Sequence, residues 1–149
     1  MKIAAASDHA GLSLKKVLVE RLRATGHEVN DLGTHDGSSC DYSDFAVMVA
    51  TAVSSGTSES GLLVCGTGQG MAMSANRVAG CRAAVVADAF SARATRQHND
   101  ANVLCLGERV VGPGVANDIV DAFFTTAFEG GRHAGRVAKM MALGGTAAR

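Results

Sequence analysis

"LLVCGTGQGMAMSAN", residues 62–76, is an apolar run that ends in Cys65, followed by glycines at 66, 68 and 70 and then a helical pattern. A short apolar run that stops at glycines predicts a buried strand, and the apolar spacing that resumes at Met71 predicts a helix. A strand, a glycine turn and a helix start make an anion cradle. The free N–H groups of the first helical turn and the helix dipole both face whatever sits in the turn. Gly66, Gly68 and Gly70 permit unusual backbone angles and close approach of a ligand. Three readings follow: a nucleotide-binding loop, a tight turn beside a buried thiol, or an active site built around Cys65.

The same alternation runs along the chain. "KIAAAS" (2–7), "EVNDLG" (28–33), "GLLVCG" (61–66), "CRAAVVAD" (81–88) and "NVLCLGER" (102–109) are predicted strands. Helices are predicted over 12–27, with Gly26 marking the end, and over 41–56, with an aspartate or serine cap. Further helices are expected over 70–80, 89–98, 113–131 and 132–143, before a loose tail at about 144–149. Pro113 near a helix start and glycines at its end follow the usual asymmetry. Strands that alternate with helices and are apolar throughout predict a five-stranded parallel sheet covered on both faces, α/β/α, with an extra C-terminal helix. Ligands in such folds sit outside the carboxyl ends of the strands. Asp8, His9, Tyr42, Cys65 to Gly70, Asp88 and Arg109 are thereby expected on one rim.

Composition narrows the function. The chain has 149 residues, 47% of them apolar, which suits one packed domain over 1–149. Lysine plus arginine equals aspartate plus glutamate, 14 each, so no broad field draws nucleic acid or an anionic membrane. There is no tryptophan and little aromatic surface for base stacking. An anionic ligand must be met by a local cluster of cations. Cys40, Cys65, Cys81 and Cys105 form neither a C-x-x-C pair nor a zinc pattern with the histidines, so no metal ligand is assigned. No apolar run approaches the roughly 18 residues of a membrane span. A cytoplasmic protein with reduced thiols is the reading.

The loop itself excludes some chemistry. A P-loop needs Gly-Lys-Ser/Thr, which is absent. The dinucleotide pattern G-x-G-x-x-G has Met71 in place of its last glycine, although Asp88 lies at about the right distance to hold a ribose. Buried free cysteines are common, and Cys40, Cys81 and Cys105 are assigned to that class. Cys65 differs because it ends its strand beside helix N–H groups that stabilise a thiolate.

Seven segments together carry a resemblance. They are "SDHAG" (7–11), "DY" (41–42), "CGTGQGM" (65–71), "AN" (75–76), "SARATRQHNDANVL" (91–104), "GERVVG" (107–112) and "EGGRHAGRV" (129–137). With these, nearly the whole chain resembles the B type of ribose-5-phosphate isomerase and its relatives acting on allose and galactose 6-phosphates. The resemblance implies a Rossmann-like α/β domain, working as a dimer or tetramer on a sugar phosphate, without metal or cofactor. It implies Cys65 as the base that moves a proton between C2 and C1. The N–H groups of Gly66, Gly68, Gln69 and Gly70 would stabilise the enediolate, with Thr67 adding a hydroxyl. Some relatives place an acidic base after the third glycine; Met71 there puts this chain in the cysteine subgroup.

By the same resemblance His98 is the acid for ring opening, a task suited to a group that titrates near neutrality. Asn99 would bind sugar hydroxyls, and Asp8, His9 and, more weakly, Tyr42 would contact substrate. Arg132 and Arg136, four apart on one helix face, join Arg109 as a phosphate clamp. His133 either assists the clamp or faces water. Two rivals stay open: isomerisation of a six-carbon sugar phosphate such as allose 6-phosphate, and a sugar-phosphate or nucleotide sensor without turnover. Topology adds one expectation. His98, Asn99 and Arg132 follow helices that run back to the opposite rim from Cys65, so each site is expected to be shared between two chains of a homodimer. Val137, Met140, Met141 and Leu143 are expected to supply apolar contact with the partner.

Overall fold

The computed structural model describes residues 1–143, so the expected tail at 144–149 lies outside the described residues. β1 (Lys2–Ser7) leads through a 3-10 turn at His9–Gly11 into α1 (Leu12–Ala24). Then come β2 (Glu28–Asp31), α2 (Tyr42–Ser54), β3 (Ser60–Cys65) and α3 (Gln69–Ala75). β4 (Ala83–Val85), α4 (Ala89–Asn99), β5 (Val103–Gly107), α5 (Pro113–Thr125) and α6 (Arg132–Leu143) complete the order. The strands form one five-stranded sheet in the order β2-β1-β3-β5-β4, with every pair parallel. This is the expected α/β/α arrangement with its extra terminal helix.

The period-2 alternation of the strands divides the core in two. Leu62 and Val64 of β3 pack with Leu14, Leu18 and Leu22 of α1 and with Ile119 and Phe123 of α5. Leu63 and Cys65 face the other way, among Val49 and Ala50 of α2 and Met71 and Ala72 of α3. The small side chains of Ala4 and Ala6 on that face leave room for α2 to lie close to β1. β3 is the middle strand, and its carboxyl end is level with that of β5, Cys65 opposite Gly107. After β1 the chain moves outward to β2, whereas after β3 it moves outward the other way. The crevice between the ends of β1 and β3 is therefore the topological switch point of the sheet.

Several boundaries differ from expectation, each for a local reason. α3 stops at Ala75 instead of running to Gly80, and the side chain of Asn76 turns to the backbone of β4. Its amide donates to Ala83 O (2.9 Å) and accepts from Ala83 N–H (2.7 Å). β4 itself is only three residues long and lies at the sheet edge, much shorter than the predicted 81–88. α5 ends at Thr125 because Thr125 and Thr126 hydroxyls bond the carbonyls of Asp121 and Ala122, both at 2.6 Å. Asp41 occupies the N-cap position of α2, but its side chain makes no capping hydrogen bond. The Asp-His pair after β1 opens a 3-10 turn capped by Asp8.

Candidate active site

The switch-point crevice is built by close backbone approach. Gly11 lies so near β3 that a Cβ there would sit 2.5 Å from the carbonyl of Val64. Asp8 N–H donates to Val64 O (3.2 Å), and Asp8 Oδ1 accepts from Ala10 N–H (2.9 Å) and Gly11 N–H (3.1 Å). Both bonds use one carboxylate oxygen. The exposed His9 ring accepts from Cys40 N–H through Nδ1 (3.3 Å), which ties the loop before α2 to the mouth.

Cys65 is buried at the end of β3, and Gly68 N–H donates to its Sγ at 3.1 Å. Gly68 makes that possible with φ +80, a left-handed conformation that a side chain rarely adopts. Gln69 N–H is 3.4 Å from the Thr67 hydroxyl, and both of these side chains are exposed. The Arg109 guanidinium lies over Gly66, where a Cβ would be 3.3 Å from Nη1. The Tyr42 ring lies over Gly70, where a Cβ would be 2.7 Å from the ring. Asp8, His9, Tyr42, Cys65, Gly66, Thr67, Gly68, Gln69, Gly70 and Arg109 thus surround one crevice. Asp88 is different. Its carboxylate caps α4 by accepting from Ser91 N–H (2.7 Å) and Ser91 hydroxyl (2.8 Å), the bonds that hold it below the usual carboxylate range. That local role accounts for an aspartate at a spacing that suggested a ribose contact.

The remaining expected residues gather at the other end of the sheet. His98 and Asn99 close α4, and α6 packs on α4. His98 stacks on His133, ring centroids 4.5 Å apart and planes within 18°. His133 is buried, so it does not face water. Burial pushes its imidazole below the ordinary value, and His98, Arg132 and Arg136 push the same way, while Glu129 opposes them. Arg136, Asn99 and Val137 line a cleft of about 160 Å³ with the two histidines. Arg109 is therefore not brought beside Arg132 and Arg136 within one chain, because its loop follows a strand while theirs follows a helix.

Glu129 was not singled out by spacing, yet its Oε2 lies 3.7 Å from His133 Nε2 and 4.0 Å from His98 Nε2. The signal available was Glu-x-x-x-His, a one-turn spacing. The ligand-type atoms of these three residues lie within 4.8 Å of one another. Two guanidinium groups beside them add positive charge, which favours an anion such as phosphate over a divalent cation.

The Ribose/Galactose Isomerase family profile matches residues 3–140. The chain belongs to the ribose/galactose isomerase family. Among the family's proteins, ribose-5-phosphate isomerase B of Escherichia coli is 46% identical over 142 residues, covering 95% of each chain. The structure of Clostridium thermocellum ribose-5-phosphate isomerase B superposes with a TM-score of 0.95 at 50% identity, covering 96% of this chain and 97% of the other. That of Mycoplasma genitalium ribose-5-phosphate isomerase B with bound ribulose 5-phosphate gives a TM-score of 0.94 at 42% identity, covering 98% and 97%. Within this ribose/galactose isomerase fold, the crevice at Cys65 and the His98 cleft each bring several chemistry-bearing side chains together. Among the described residues, no helix is long and apolar enough to cross a membrane.

Proposed function

We propose that the chain interconverts ribose 5-phosphate and ribulose 5-phosphate through an enediolate, acting as one isomerase domain over residues 1–149. The observation that carries this is the Cys65 sulfur, held at the middle of the carboxyl rim with the Gly68 N–H aimed at it 3.1 Å away. The fold match to a relative that holds ribulose 5-phosphate supports the substrate class. His98 gives a proton to the ring oxygen as that oxygen's bond to C1 breaks, and the C1 hydroxyl proton leaves to solvent as the aldehyde forms. Cys65 takes the C2 proton of the open aldose and returns it to C1, while the O2 hydroxyl proton passes to O1. The developing oxyanion is met by N–H groups of the Gly66–Gly70 turn and by Thr67, groups already in place before charge develops. Asp8, His9, Tyr42, Gln69 and Asn99 hold hydroxyls, and Arg109, Arg132 and Arg136 hold the phosphate.

Each site is assembled from two chains of a homodimer. α4 alone, 11 residues long, separates the rims by roughly 16 Å at about 1.5 Å per residue. A twofold axis brings the His98 rim of one chain to the Cys65 rim of the other. A groove of about 610 Å³ between residues 76–84, α4 and α6 supports this reading; Met140 and Met141 line it. Met141 also contacts Arg82 of its own chain, its sulfur 4.0 Å from Nη1. A cytoplasmic location belongs to the same reading and is supported by free Cys40, Cys65, Cys81 and Cys105.

The test is an assay of the purified protein with ribose 5-phosphate and with allose 6-phosphate, no metal added, beside a nucleotide-binding screen. Turnover of ribose 5-phosphate is expected. Preference for allose 6-phosphate would move the substrate to six carbons, and binding without turnover would make the protein a sensor.

A further inference from the structure

We propose that Glu129 is a positioning residue for the acid His98: its carboxylate, lying against the Nε2 atoms of two stacked imidazoles, holds the plane of the His98 ring. This rests on the reading of His98 as the ring-opening acid. Glu129 precedes α6, and its backbone N–H donates to Gln97 O (3.1 Å), one residue before His98. The carboxylate is thereby tied to the last turn of α4, where its Oε2 reaches both rings, at 4.0 and 3.7 Å. His133 forms the floor: buried, parallel to His98 and inside the fold, it limits rotation of the ring above it.

The charges around the two rings are unequal. On α6, Arg132 and Arg136 stand beside the buried His133 and disfavour its cation, as burial does. On α4, Arg96 is paired to Asp100 (2.9 Å), and Asp100 also takes Arg82 (2.9 Å), so those charges are engaged with one another. Glu129 is the anion at both rings. His133 is thereby the floor of the pair, and the exposed His98 ring is the one open to substrate. A ring so oriented can donate to a sugar ring oxygen and be re-protonated from solvent.

The experiment compares Glu129→Gln, Glu129→Asp and His98→Asn with the parent protein, each shown to fold by its thermal melt. Two reactions are followed. Turnover of ribose 5-phosphate needs ring opening. Exchange of the C1 hydrogen of ribulose 5-phosphate with D₂O does not, because that ketose is already open. Glu129→Gln should lower kcat/KM for ribose 5-phosphate by roughly 10- to 100-fold, a part of the 10² to 10⁴ that a positioned acid supplies. Exchange should be largely retained. Glu129→Asp keeps the carboxylate and should recover most of the lost turnover. Unchanged turnover in Glu129→Gln, or equal loss of turnover and exchange, would overturn the role of Glu129. Full turnover by His98→Asn would remove the acid itself, and the proposal with it.

Discussion

At the scale of single residues, three buried thiols show how environment sorts one side chain. Burial pushes the Cys81 thiol up to about 11 and Cys105 well above its ordinary value, so both stay protonated packing groups. Among the described residues, Cys65 is the one of the three with a backbone N–H aimed at its sulfur, from Gly68. Cys65→Ala should therefore lower isomerisation by about 10² to 10⁴, with the circular dichroism spectrum unchanged; normal turnover by the folded variant would remove Cys65 from the mechanism. Lys15 is a second case. It is buried, with Nζ donating to Asp31 Oδ1 (2.6 Å) and Thr34 O (2.8 Å), and nothing in its helical spacing announces that. Removing one partner of a buried pair costs about 3–5 kcal/mol, so Lys15→Ala should lose that much in urea unfolding. The exposed neighbour substitution Lys16→Ala should stay within about 0.5 kcal/mol. Histidines set the pH response. Burial holds both His27 and His133 below the ordinary 6.5. The unfolded chain then binds more protons below that value, so their contribution is complete above it and is lost as pH falls toward the folded values. Thermal melts from about pH 7.5 to about pH 5 should show falling stability, with a flatter slope in the His27→Gln/His133→Gln variant. Equal slopes would discount these two groups.

At the scale of elements, the connection from β1 to α1 matters most, because it holds Asp8 and His9 against the end of β3. Gly11 is required there by space rather than by backbone angle: its added Cβ would overlap the Val64 peptide at 2.5 Å. Gly11→Ala should lower the melting temperature and depress activity, since the 3-10 turn must move outward and take Asp8 with it. Gly112→Ala is the matched control. Its φ is −74 and nothing lies within 4 Å of the added methyl, so stability should change by no more than about 0.5 kcal/mol. Similar losses in both variants would show that the close approach to Val64 is not limiting. The same logic of local satisfaction explains β4. A three-residue edge strand survives because Asn76 supplies, from its side chain, the donor and acceptor that Ala83 lacks on its outer side.

At the scale of the whole molecule, the proposed shared site makes a prediction that no single chain can satisfy. Cys65→Ala chains and Arg132→Ala chains are each expected to be inactive. Mixed under conditions that exchange subunits, each heterodimer should hold one intact site and one doubly damaged site, and activity should return. Continued inactivity in verified heterodimers would place all of these residues in one site of one chain. Parallel topology motivates the expectation, since residues after strands and residues after helices lie at opposite rims.

The sequence by itself determined the alternation of strands and helices, the rim to which Cys65 and His98 each belong, and the family. Those follow from local apolar periods, from the rule that a crossover reverses direction, and from motifs spread over most of the chain. Tertiary structure decided which groups meet. The sheet order β2-β1-β3-β5-β4 sets Cys65 beside Gly107, and packing of α6 on α4 sets His133 under His98. It alone buried Lys15 against Asp31 and brought Glu129 beside two stacked imidazoles. A helical or strand period records which face of an element is apolar. It carries no record of the partner from a distant segment that will cover that face, and such partners set burial, charge and reactivity.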